Sequence, residues 1–261
     1  MGDAIIKVKN SSYARYEELL LRRDDVKKRA FQYGAEYTRT FGELILAVFE
    51  KKIECIRKKK TVEYCQTFKN HGKNVDQAGL QDYLKKQLAE YEERLKAMIE
   101  ENEAAKSTGD VTEAELLQIK RIYRRLVKKI HPDINPLTNT NEDLKGLWQR
   151  LVIAYDCNDL KEMKETEVLI NALMTKLNLG VMEVEIPDIE AKIKELEEEI
   201  EKIMNTDPYQ YIYLLEDKTA VAEKKKELED ELKEYEEYSN KLEEMLNDLL
   251  GYGMTFTFRM N

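Results

Sequence analysis

The chain has few of the residues that interrupt or cross-link a fold. Its 261 residues include four prolines, ten glycines, three cysteines, two histidines and one tryptophan. With 36% of the residues charged, so little proline and glycine points to long helices with wide solvent contact. Cys55, Cys65 and Cys157 are scattered and lack CxxC spacing, which argues against a disulfide framework or a metal cage and fits reduced thiols. His71 and His131 are too few to build a Cys/His zinc site at any recognised spacing. The longest apolar run, residues 44–49, is far shorter than the roughly 18 residues of a membrane span. The N-terminus, MGDAIIKVKN, is short and charged, unlike a signal peptide. A soluble, cytoplasmic protein is therefore expected. There is no Gly-rich phosphate loop, nucleophile elbow or metal cluster, so the expectation is no enzyme, no catalytic residue and no cofactor. A net charge of −9 argues against a protein built mainly to grip nucleic acid.

What is present is apolar periodicity. Residues 4–9, AIIKVK, have the content of a short strand. From Ser12 the pattern turns helical, with Ser11 or Ser12 as N-cap, and Tyr16, Leu19, Leu20, Val26, Ala30 and Tyr33 carry one helix to about Gly34. A second stretch, 40–68, repeats Phe41, Leu44, Ile45, Val48, Phe49, Ile53 and Ile56 on one face. NHGKN at 70–74 interrupts it. Leu80, Leu84, Leu88, Tyr91, Leu95 and Met98 then predict a helix over 76–106 with coiled-coil-like spacing. Thr112 followed by Glu115 is a capping-box pattern. The helix it opens carries Ile119, Ile122, Tyr123, Leu126, Val127 and Ile130 on its apolar face and stops at His131, because Pro132 disfavours helical backbone in the residue before it. Another helix starts near Asn141, with Leu144, Leu147, Trp148, Leu151 and Tyr155 as its stripe, and periodicity resumes through Leu160, Met163, Val168, Leu169 and Leu173.

The C-terminal third has the cleanest repeat. VMEVEI at 181–186 alternates like a strand. Ile189, Ile193, Leu196, Ile200 and Ile203 form one heptad arm, and Val221, Leu228, Leu232, Tyr235, Leu242, Leu246 and Leu249 form a second beyond the Asp207-Pro208 break. Two such arms read as an antiparallel hairpin, used for packing or for homo-oligomerisation. The tail MTFTFRM alternates again, and the three strand-like segments are expected to pair in a small sheet.

The chemistry concentrates at 119–136, IKRIYRRLVKKIHPDINP. Lys120, Arg121, Arg124, Arg125, Lys128 and Lys129 put six cations within ten positions of an acidic chain. Clustered like charges are unfavourable on an isolated helix, so a docking surface for an acidic partner is the electrostatic reading.

These residues carry a resemblance. Tyr123-Arg124-Arg125-Leu126, then Lys128, His131-Pro132-Asp133 and Asn135-Pro136, resemble the second helix and HPD loop of J-domains, the docking modules of DnaJ-like co-chaperones. Trp148 stands where that family has Phe, Leu151 at the next core position and Ala154-Tyr155 at an Ala-Tyr pair. The resemblance covers about 112–157 and departs from the pattern in two places. AAKSTGDV stands ahead of Thr112 where the family's short first helix belongs, so another helix must pack there, with 76–106 as the candidate. The loop between Asp133 and Trp148 is also a few residues longer than usual.

The resemblance implies docking on a DnaK-type heat-shock chaperone and stimulation of its ATPase. His131, Pro132 and Asp133 would be the trigger, Tyr123, Arg124, Arg125, Lys120 and Lys128 the helix contacts, and Asn135 and Trp148 the flanking residues. ATP and magnesium would belong to the partner, and the client is a further, unnamed protein. The expected fold is all-α, with a J-domain-like hairpin between an N-terminal helical region and a C-terminal antiparallel coiled-coil hairpin, plus a few short strands. The division expected is 1–75, a connecting helix 76–110, the J-like module 111–178, the hairpin 187–250 and a strand-like tail 251–261.

Each sharp reading has a plain counterpart. His131 before Pro132 is also an ordinary helix C-cap, and Trp148 and Tyr123 lie on apolar stripes. The cations at 51, 52 and 57–60 are a solvated helix face or a patch for nucleic acid or anionic lipid. Tyr209, Tyr211 and Tyr213 near the break are candidates for a client grip. A helical scaffold with a passive J-like unit is the alternative function, and anion binding by the 51–60 face the third.

Overall fold

The computed structural model describes residues 6–8, 10–71, 75–107, 111–177, 182–184 and 186–251, which are all-α apart from one two-stranded ladder. In chain order the elements are β1 (Ile6–Val8), α1 (Tyr13–Asn70), α2 (Gln77–Ser107), α3 (Glu113–Ile130), α4 (Leu137–Thr140), α5 (Glu142–Asp156), α6 (Leu160–Lys176), β2 (Met182–Val184), α7 (Ile189–Met204), α8 (Tyr211–Glu216) and α9 (Lys218–Leu250). β1 and β2 pair in parallel, Ile6 opposite Met182 and Val8 opposite Val184. Asn10 closes the ladder from its side chain: Oδ1 accepts from the Ile186 N–H at 2.8 Å and Nδ2 donates to the Ile186 carbonyl at 3.0 Å. The strand-like tail at 254–260 lies outside the described residues.

Helix α1 runs unbroken through Gly34, where the sequence predicts an end. The glycine serves packing here. A Cβ at Gly34 would lie 3.3 Å from Cβ of Pro208, so its absence lets Pro208 approach the helix. That close approach offsets the roughly 1 kcal/mol that glycine costs a helix interior.

The chain divides into two units, Met1–Ala35 with Thr108–Ile212, and Glu36–Ser107 with Tyr213–Asn261. This corrects the expected consecutive division: α1 contributes its first turns to one unit and the rest to the other. In the first unit α3 buries Ile119, Ile122, Tyr123, Leu126, Val127 and Ile130, the face its spacing predicts. Thr112 completes the capping box: its hydroxyl accepts from the Glu115 N–H at 3.3 Å while the Glu115 carboxylate accepts from the Thr112 N–H at 3.0 Å. Against α3 pack Leu144, Leu151, Ala154 and Tyr155 of α5, and Tyr16, Leu19, Leu20, Val26 and Ala30 of α1. The helix that packs on α3 from ahead of it in the chain is therefore the start of α1; α2, expected there, belongs to the second unit.

Helix α6 is rotated from its predicted phase. Met163, Thr166, Ile170 and Met174 are buried, while Val168 and Leu169 are exposed. Pairs from α3 to α6 hold this phase: Arg125 Nε donates to Glu167 at 2.7 Å and Lys129 Nζ to Asn171 at 2.9 Å.

In the second unit, Leu80, Leu84 and Leu88 of α2 pack on Ile53, Leu228 of α9 on Phe41 and Val48, and Leu246 of α9 on Val62 and Cys65. The stripe of α7, Ile189, Leu196 and Ile200, is buried in the first unit's core. The two heptad arms thus bury their stripes in separate cores, which corrects the expected antiparallel hairpin. A heptad stripe states that a helix has an apolar partner and leaves the partner unspecified.

Candidate functional site

The loop after α3 is set by its proline. His131 takes the extended backbone required before Pro132, φ −61° and ψ 129°, and its carbonyl accepts from the Ile134 N–H at 2.9 Å and the Asn135 N–H at 2.7 Å. Asn135, fully buried, staples the turn: Nδ2 donates to the Lys129 carbonyl at 2.8 Å and Oδ1 accepts from the Leu137 N–H at 3.1 Å. Asn139 Nδ2 donates to the Pro132 carbonyl at 3.1 Å. The loop is a closed, hydrogen-bonded turn joining α3 to α4.

His131 is only 3% exposed. Its Nδ1 accepts from the Asp133 N–H at 3.0 Å, which places the ring proton on Nε2 in the neutral form. Nε2 faces Arg23 Nη2 at 3.3 Å, so a donor stands at each ring nitrogen and the neutral ring accepts from one of them at a time. The Trp148 ring packs at a steep angle against the imidazole, centroids 4.8 Å apart. Burial, the largest influence, pushes His131 down to about 4, with Arg23 and Lys27 adding to it and Asp24 and Asp133 opposing it. The ring is neutral at physiological pH and acts as a shaped donor and acceptor, not as a cation. Asp133, its side chain 41% exposed, accepts from Tyr16 Oη at 3.3 Å.

The face of α1 against α3 carries polar groups that sequence reasoning missed. Arg23 donates from Nε and Nη2 to Asp24 Oδ1 at 3.0 and 2.8 Å, and Tyr123 Oη donates to Asp24 Oδ2 at 2.9 Å. Tyr123 stacks on Tyr155 at 3.8 Å, and the Tyr155 hydroxyl donates to Asp25. Burial first, then these carboxylates, push both phenols well above their ordinary range. Lys28 lies over the Tyr155 ring at 3.8 Å, with no hydrogen-bond partner for Nζ. Burial, only partly offset by Asp156 and Asp25, lowers it to about 8. Asp156 is raised to about 6 by burial, against the opposing pull of Lys28. The one available signal was the polar run Arg22-Arg23-Asp24-Asp25 inside an otherwise amphipathic stripe.

The cationic stripe is matched from within the chain. Lys128 pairs with Glu17 at 2.7 Å, Arg124 lies 4.0 Å from Asp25, and Arg125 pairs with Glu167, although the three cations remain more than half exposed. His131, Pro132, Asp133, Asn135 and Trp148 are brought together at the loop. Lys120, half-buried, stands near Lys28 further up α3. Of the expected docking contacts, Tyr123, Asn135 and His131 are buried, with their polar atoms facing partners within the chain. Tyr209 is likewise buried, edge-on to Tyr33 at 5.5 Å, whereas Tyr213 is exposed.

Elsewhere, four of the six cations at 51–60 are paired with carboxylates. Lys51 bonds Glu54 at 2.6 Å, Arg57 bonds Glu92 at 3.0 Å, Lys58 bonds Glu243 at 2.7 Å and Lys60 bonds Glu63 at 3.0 Å. Burial alone would raise Glu54, but hydrogen bonds from Lys51, Ser239 and Lys58 outweigh it and hold the carboxyl at about 2. This face is a packing seam more than an open patch. Among the described residues, no group of three His, Cys, Asp or Glu side chains is placed to hold a metal, and no helix is long and apolar enough to cross a membrane. No family model, curated protein or solved structure matches the chain.

Proposed function

We propose that this chain is a J-domain-like adaptor that docks on a DnaK-type heat-shock chaperone through α3 and the His131-Pro132-Asp133 loop and stimulates its ATPase. It works in the cytoplasm, without chemistry of its own. The observation that carries this reading is the closed turn at the end of α3: it holds Asp133 partly exposed beside a helix whose Arg124, Arg125 and Lys128 reach solvent. Exposed charges of both signs around one rigid turn suit encounter and register with a charged partner. The test is single-turnover ATP hydrolysis by the DnaK-type chaperone of the same source. Stimulation by the wild type and its loss in Asp133→Asn is expected; equal stimulation by both sinks the proposal.

The second reading is a helical scaffold in which the J-like unit only packs. Two observations favour it: His131 is buried, and the cationic stripe is paired with Glu17, Asp25 and Glu167. A chaperone pull-down unchanged by Asp133→Asn supports the scaffold. Loss of the chaperone from that pull-down removes it.

A further inference from the structure

We infer that Tyr16 and Arg23 are positioning residues of the docking loop, bracing His131 and Asp133 from α1 so that the loop keeps one conformation. The consequence for docking rests on the reading above; the brace itself does not.

Seven residues separate Tyr16 from Arg23, which puts them on one face of α1, two turns apart. Tyr16 is fully buried up to its hydroxyl, and a buried phenol needs a partner for its O–H. That partner is Asp133, at 3.3 Å. Arg23 is fixed by two hydrogen bonds to Asp24 and lies 3.9 Å from Glu199 of α7, so its guanidinium has little freedom. It faces His131 at Nε2, the nitrogen opposite the one that holds the Asp133 N–H.

A causal chain follows. The Asp133 backbone is held only while His131 Nδ1 lacks a proton. A cation at Nε2 disfavours the imidazolium, in which both ring nitrogens carry protons, so Arg23 keeps the ring neutral with one nitrogen free to accept. Tyr16 acts on the same residue from its other end, fixing the carboxylate while the Nδ1 bond fixes the amide. Pro132, between the two braced residues, has its φ locked by its ring. Side chains more than a hundred positions upstream thus determine how the loop is presented.

The experiment uses the full chain with Tyr16→Phe, which removes one oxygen and leaves the ring in the core, and with Arg23→Gln. Nitrogen NMR of the imidazole and amide hydrogen exchange report on the loop without any partner. In the wild type, His131 is the Nε2-protonated tautomer and the Asp133 amide is protected. Tyr16→Phe is expected to speed Asp133 exchange about fivefold, the equivalent of one ordinary hydrogen bond. Arg23→Gln is expected to move the His131 titration upward. Unchanged exchange and tautomer in Tyr16→Phe overturn the brace even if Arg23→Gln fails to fold. In the ATPase assay, Tyr16→Phe should raise the half-maximal concentration several-fold while keeping the maximal rate. Unaltered half-maximal concentration alongside a loosened loop overturns the role in docking. A wild type that never stimulates ends the docking reading, and the NMR result then decides the brace alone.

Discussion

Replacing Lys28 with methionine is expected to stabilise the protein, although it removes a contact. Lys28 is 4% exposed, and its ammonium has the face of Tyr155 as its close neighbour and no hydrogen-bond partner. Its fall from 10.5 to about 8 means that the charged form is disfavoured on folding. At about 1.4 kcal/mol per unit, that shift corresponds to roughly 3 kcal/mol. The lost cation–π contact returns about 1–2 kcal/mol, and methionine retains the apolar stem, so a net gain of about 1–2 kcal/mol is expected. The pH dependence supplies the sharper check. Between pH 8 and 10.5 the unfolded chain holds a proton on Lys28 that the folded chain has released, so the Lys28 contribution to stability rises with pH across that window. Below pH 8 the penalty is fully present. Urea denaturation of both proteins from pH 7 to 10.5 gives a difference curve that isolates this group from the other titrations. The methionine advantage should shrink steadily above pH 8. A difference that is flat with pH, or a Lys28→Met protein less stable at pH 7 by 1 kcal/mol or more, would falsify the account.

The buried imidazole makes a prediction of the same sign at acid pH. With His131 at about 4, against an ordinary 6.5, the unfolded chain binds more protons between those values, so stability falls as pH drops through that window. His131→Phe should flatten that segment of the curve, and an unchanged slope counts against the burial argument. The phase of α6 can be checked by a pair of truncations. Ile170→Ala should cost about 2–4 kcal/mol and Val168→Ala less than about 0.5 kcal/mol in chemical denaturation. Reversed costs would restore the phase expected from apolar spacing.

Legibility differed by element for a physical reason. The face of α3 was readable residue by residue because a strongly amphipathic helix with a capping box has only one side to bury. Helix α6 was not, because Val168 and Leu169 compete with Ile170 on hydropathy alone. Its phase followed from Glu167 and Asn171 meeting Arg125 and Lys129, forty-two positions away. Gly34 read as a helix end, since composition cannot distinguish a glycine that breaks a helix from one that admits a neighbouring proline.

The amino-acid sequence by itself determined an all-α chain, the caps and apolar faces of α3 and α5, and a turn at His131 and Pro132, because propensity, periodicity and proline sterics act over a few residues. Tertiary structure alone decided what surrounds that turn. Tyr16, Glu17, Arg23, Asp24 and Asp25 meet α3 and its loop only because the start of α1 folds onto that helix. That contact makes the histidine of the loop a buried neutral ring and pairs Lys128 with Glu17 and Arg124 with Asp25. Charge matching and burial depend on which faces come together, and local sequence does not encode that choice.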